Sequence, residues 1–68
     1  MKKLIQTRLK ELRQESNMTQ KQVAKVLSMS ETGYASWEQG LSEPSIDAII
    51  VLCKFYNVSA DYLIGIEK

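Results

Sequence analysis

The chain has 68 residues, 44% of them hydrophobic and 25% charged, with a net charge of +1, one cysteine and no histidine. That composition is ordinary for one small globular domain, and it excludes an intrachain disulfide, a Cys/His zinc site and histidine acid–base chemistry. No apolar run approaches the roughly 18–20 residues of a membrane span, and charges interrupt the opening MKKLIQTRLK within a turn or two, unlike a signal peptide, so the expected setting is the cytoplasm.

Ile5, Leu9 and Leu12 recur at i, i+4 and i+7 with polar residues between them, which predicts an amphipathic helix over residues 3–16. Ser16-Asn17 ends it, because Asn tolerates the left-handed conformation, and Met18 is expected to plug into the core. Thr19 and Gln22 have the Thr-x-x-Gln form of a capping box. Val23, Ala24 and Leu27 then follow at helical spacing. Ser28-Met29-Ser30 breaks the pattern. Ser30 is the next N-cap candidate, Tyr34 and Trp37 share one face of the helix after it, and Gly40 stands where a C-cap glycine belongs. Two short helices joined by a three-residue turn, over about residues 19–39, match a helix-turn-helix, whose second helix reads the DNA major groove.

Leu41-Ser42-Glu43-Pro44 is a connector, since Pro44 disfavours helix at Glu43. Ser45 caps a fourth helix over about residues 46–56, ended by Asn57. Ser59 caps a short fifth over about residues 60–64, closed by Gly65. Five helices without a period-two strand make an all-α single domain over residues 1–68. The fourth helix is apolar on two sides. Ile46, Ile49, Leu52, Cys53 and Tyr56 fall in one arc, with Ile50 at its edge, and this arc is expected to face the core. Cys53 reads there as a small buried hydrophobe. Ala48, Val51 and Phe55 form a second stripe, and Tyr62 and Ile66 add apolar side chains on and after the fifth helix. Either that helix covers the stripe or a second copy of the chain does; the reading adopted is a homodimer through Val51, Phe55, Tyr62 and Ile66.

Charge is divided along the chain. Residues 1–30 carry seven basic against two acidic side chains, a balance of +5, and residues 31–68 carry two against six, a balance of −4. Such asymmetry is compatible with one face meeting phosphate. Lys2 and Lys3 read either as a basic arm or as solvated terminal lysines.

The chain resembles the phage-repressor and Cro class of helix-turn-helix proteins, also called the xenobiotic-response-element family. Its marks are Leu9-x-x-Leu12-Arg13, Met18-Thr19-Gln20-x-x-Val23-Ala24, Ser30, Trp37-Glu38-x-Gly40, Pro44 and Val58-Ser59-x-Asp61-x-Leu63-x-Gly65. The likeness covers nearly the whole chain. It implies a phage-repressor-like five-helix fold that binds double-stranded DNA. Thr19, Gln20 and Lys21 are implied to meet DNA at the start of the second helix, Gln20 foremost, where free N–H groups also suit phosphate. The third helix is the implied recognition helix, with Ser30 before it and Glu31, Thr32, Ala35, Ser36 and Gln39 outward. Thr and Ser hydroxyls pair with several bases, and Thr32 or Ala35 can touch a thymine methyl. Glu31 either accepts from cytosine N4 or simply suits the helix dipole. Gly33 lets backbone approach DNA closely. Trp37 is a core residue; Tyr34 either joins it there or sends its hydroxyl to a phosphate. Arg13 and Glu38 are the implied ion pair tying the first helix to the end of the third.

The chain departs from the family pattern at Ser28, where many members have glycine; a left-handed serine there costs about 1 kcal/mol. The connector lacks the common basic residue, and the recognition helix has no Lys or Arg. The resemblance implies a transcriptional regulator, read as a repressor that occupies a palindromic operator as a homodimer. The alternative is a protein-interaction module, such as an antitoxin-like partner with accessory DNA binding. No enzyme is read, for want of histidine, paired carboxylates and a phosphate-binding glycine loop. No cofactor, metal, small-molecule ligand or membrane partner is implied.

Overall fold

In the computed structural model, residues 4–66 are described; Lys2 and Lys3, with the arm they were read as, lie outside them. Five helices follow in order: α1 (Leu4–Glu15), α2 (Gln20–Val26), α3 (Glu31–Gln39), α4 (Ile46–Tyr56) and α5 (Ala60–Ile64). No strand occurs among the described residues.

Short polar residues set the helix starts. Thr19 Oγ1 accepts from the Gln22 N–H at 3.1 Å while Gln22 Oε1 accepts from the Thr19 N–H at 2.8 Å, closing the capping box. Ser30, Ser45 and Ser59 cap α3, α4 and α5 by accepting from the N–H groups of Gly33, Ala48 and Tyr62 at 3.1, 3.2 and 3.0 Å. Each such cap stabilises its helix by about 1 kcal/mol. Left-handed residues set the ends. Asn17, Ser28 and Asn57 each have φ of 56°, and Gly40 and Gly65 have φ of 81° and 95°. Ser28 therefore takes the strained conformation that glycine would adopt freely.

Each helix contributes one side chain with no exposed surface: Leu9, Val23, Tyr34, Leu52 and Leu63 in order along the chain. Ile5, Leu12 and Ala24 complete the core. A fully buried leucine contributes about 2–3 kcal/mol, so these few positions dominate the stability of so short a chain. Helix α1 packs against both α3 and α5, and α4 packs against α5. At the α1–α5 contact, Arg8 Nη1 donates to the Tyr62 carbonyl, and the guanidinium lies 4.1 Å from the centre of the Tyr62 ring. Leu4 covers Gly65 so closely that a Cβ there would come within 2.5 Å of Leu4 Cβ.

One expectation for α4 is corrected. Ile46, placed in the core arc, is 76% exposed. Helical periodicity assumes cover along the whole helix, but burial begins only with Ile49 and continues through Leu52, Cys53 and Tyr56; the first turn overhangs the core. Of the two covers weighed for the second stripe, α5 does not supply it, since Val51 and Phe55 keep 41% and 44% of their surface.

Candidate nucleic-acid interface

The α2–α3 pair presents the site. Its turn is held from within: the Leu27 N–H bonds to the carbonyls of Val23 and Ala24, and the Met29 N–H returns to the Ala24 carbonyl at 3.0 Å. Met29 then packs toward Gly33, where a Cβ would lie 3.1 Å from both Met29 Cε and Ser30 Oγ. The glycine thus already serves packing at the start of α3. On the inward face, Tyr34 is fully buried and Trp37 half-buried, their rings edge-on at 5.9 Å. Of the two readings of Tyr34, core residue or DNA contact through its hydroxyl, this placement excludes the DNA contact. With no accessible surface it touches only protein, because the core claims its whole ring. Its hydroxyl makes no hydrogen bond, and burial first, then the neighbouring Glu38 carboxylate, hold the phenol well above its ordinary pKa.

The outward face carries the other predicted residues. Glu31, Thr32 and Gln39 are exposed and Ala35 and Ser36 half-exposed; with Gln20 and Leu41 they line a shallow concavity of about 340 Å³. A second open concavity, about 720 Å³, runs along α2 and the turn past Lys21, Lys25, Ser28, Ser30 and Glu31. Thr19 is exposed at the head of α2, with its hydroxyl committed to the cap. Lys25 was missed by the sequence reading, although its position four residues after Lys21 places both on one helix face.

Behind this surface lies one carboxylate with many donors. Arg13 Nε donates to Glu38 Oε2 at 2.7 Å and Arg13 Nη2 to Glu38 Oε1 at 3.1 Å. Arg13 Nη1 donates to the Met18 carbonyl at 3.0 Å, tying in the segment just before α2. Gln20 Nε2 donates to Glu38 Oε1 at 3.1 Å. The side chains of Arg13 and Glu38 are only 14% and 4% exposed, so this is a desolvated, bidentate pair. Burial pushes the Glu38 carboxyl up, but the surrounding donors, led by Arg13, hold it below its ordinary value. The bond to Glu38 in turn holds Arg13 above its own. Both stay charged at neutral pH.

Of the four residues read as a dimer surface, Val51, Phe55 and Ile66 are exposed, Ile66 at 66%. Tyr62 is half-buried, with one ring face under Arg8, so only part of it remains for a partner. Among the described residues no group of acidic, Cys or His side chains is placed to hold a metal, and no helix is long and apolar enough to cross a membrane.

Comparison with known proteins agrees with this geometry. The Helix-turn-helix family profile matches residues 9–63. The HTH-type transcriptional regulator ImmR of Bacillus subtilis is 40% identical over 61 residues, which are 90% of this chain and 48% of that protein. Antitoxin PezA of Streptococcus pneumoniae is 29% identical over 65 residues, 96% of this chain and 41% of that protein. The chain thus spans about half the length of these relatives, or less. A crystal structure of a transcriptional regulator from Listeria innocua superimposes with a TM-score of 0.92 at 24% identity, covering 100% of this chain and 64% of that one; the likeness is one of fold.

Proposed function

The chain belongs to the helix-turn-helix family, and on that premise we propose that it binds double-stranded DNA sequence-specifically through α3 and the start of α2, as a cytoplasmic transcriptional regulator. The observation that carries this is the division of α3. Its inner face is spent on the core through Tyr34 and Trp37, while Glu31, Thr32, Ala35, Ser36 and Gln39 remain together outside with Gln20. A helix whose outer face is polar and uncovered suits the donor and acceptor pattern of base edges. Lys21 and Lys25 beside it supply phosphate attraction. The regulator represses by occupancy, as a homodimer on a palindromic operator, with the open α4 face joining the two copies and half-sites roughly 34 Å apart. No catalytic step belongs to this reading.

Mobility shifts on random duplex, repeated across salt concentrations, test DNA binding; selection of bound sites then tests sequence preference. Affinity should fall with salt in proportion to the phosphates neutralised. Thr32→Ala should change the selected bases at a cost on the order of 1–3 kcal/mol, and Gln20→Ala should weaken binding. A chain that shifts no duplex at low salt overturns the reading.

The exposed apolar face of α4, together with the likeness to Antitoxin PezA, favours a second reading, an antitoxin-like interaction module with accessory DNA binding. Its mark would be duplex binding without base preference.

A further inference from the structure

The outward end of α3 holds a pair of hydroxyls whose protons are already assigned. Ser36 Oγ donates to the Gly33 carbonyl at 2.6 Å. It also lies 2.5 Å from Ser42 Oγ, in the connector after α3. A serine hydroxyl has one proton and two lone pairs. With the Ser36 proton on Gly33, the contact between the two serines has one polarity: Ser42 donates and Ser36 accepts. Turning the Ser36 proton outward would set its lone pair against the Gly33 carbonyl oxygen at 2.6 Å, so the arrangement is locked. What both hydroxyls offer beyond the protein is lone pairs.

An acceptor-only surface does not suit phosphate, whose oxygens are acceptors themselves. Nor does it suit guanine O6 and N7 or thymine O4. In the major groove only the amino groups of cytosine (N4) and adenine (N6) donate. The geometry points to Ser42 as a specificity-determining residue. From outside the recognition helix it holds the rotamer of Ser36, whose polarity the Gly33 carbonyl sets, so that Ser36 accepts from an amino group of cytosine or adenine. This rests on the proposed DNA binding and names what one part of that surface reads. The connector is read here as part of the reading head, not only as a link.

The experiment is site selection from random duplex with the wild-type chain, Ser36→Ala, Ser42→Ala and Ser42→Thr, each checked by circular dichroism. Affinities follow on the wild-type site with the amino-bearing base at the affected position replaced by its analogue lacking that amino group. The wild type is expected to prefer one base pair in one orientation at one position, by about three- to tenfold, the worth of one hydrogen bond from the amino group of that pair. Ser36→Ala and Ser42→Ala should both flatten that position to within about twofold and leave the others unchanged. Ser42→Thr, which keeps the hydroxyl, should restore it. The amino-less analogue should weaken the wild type but not Ser36→Ala. A merely structural Ser42 would shift affinity at every position equally, and that result overturns the assignment. So does a Ser42→Ala variant selecting the wild-type site, or an amino-less analogue that weakens Ser36→Ala as much as it weakens the wild type. Failure of the wild type to bind any duplex is distinct, since it removes the DNA reading itself and this inference with it.

Discussion

Gln20 hangs on Glu38: its side-chain amide donates to the same carboxylate oxygen that accepts from Arg13 Nη2, at 3.1 Å in both cases. The residue expected to meet DNA is therefore oriented by the ion pair that joins α1 to α3. One amide N–H is spent internally, and the second N–H and the amide oxygen remain for a phosphate or base. On the proposed reading, affinity for DNA and stability of the fold would be linked at one buried carboxylate.

Removing one partner of the Arg13–Glu38 pair strands the other in a desolvated place. Arg13→Met or Glu38→Gln should each destabilise by about 3 kcal/mol, with the double variant losing less than the two combined. That is a large share of the stability of a small domain. Thermal melts of the three variants decide it; additive losses below about 1 kcal/mol would mean a pair of the ordinary surface kind.

The same carboxylate sets a dependence on acid. Glu38 is held below its ordinary value in the folded chain. Its contribution is full above the unfolded carboxyl value, about 4.3, and is lost as pH falls through the lower folded value. Melts taken through that range should show the wild type losing stability more steeply than Glu38→Gln. Parallel curves would overturn the link.

Alkali acts through the two buried phenols. Burial holds Tyr34 and Tyr56 above their ordinary value, so what they contribute is complete below about pH 10 and is lost as pH rises toward the folded values. Phenolate absorbance from these two rings should appear together with loss of helical circular dichroism. Full ionisation of all three tyrosines in a chain still helical would contradict their placement.

Gly65 should tolerate substitution less well than Gly40. Both take left-handed φ, which costs other residues about 1–2 kcal/mol. A Cβ at 40 meets only the terminal amide of Gln6, which can swing aside, whereas at 65 it meets Leu4 Cβ, fixed to the α1 backbone. Gly65→Ala should therefore lower the melting temperature more than Gly40→Ala, and equal melts would show that α1 shifts freely against α5.

Dimerisation through α4 is tested by sedimentation at micromolar concentrations. Phe55→Glu places a charge on the open stripe and should leave a folded chain that binds half-sites without cooperativity. A variant that still pairs normally would move the interface elsewhere.

Sequence reading did well where structure is local. Thr19, Ser30, Ser45 and Ser59 announce helix starts because a cap is made within three residues, and all four bonds form. The inner face of α3 was equally visible from its period. Periodicity misled at Ile46, since it records which way a side chain points and not how far the neighbouring helices reach. Tyr34 was left open between core and phosphate because a tyrosine has an apolar ring and a polar tip, and only the packed fold shows that the tip is enclosed as well. The bonds from Gln20 to Glu38 and from Ser42 to Ser36 leave no spacing signal: the first spans 18 residues, and the second depends on how the chain turns after Gly40.

Trp37 is the chain's only tryptophan, and its position makes it a fluorophore with a defined view. It lines a groove of about 330 Å³ with Leu27, Met29, Ala48 and Val51, on the α4 side of α3 and away from the outward residues of the reading helix. Its emission therefore distinguishes events at the two surfaces without any added label. A second chain seated on Val51 should shift the emission to shorter wavelength, while duplex bound at Thr32 should leave the wavelength nearly unchanged.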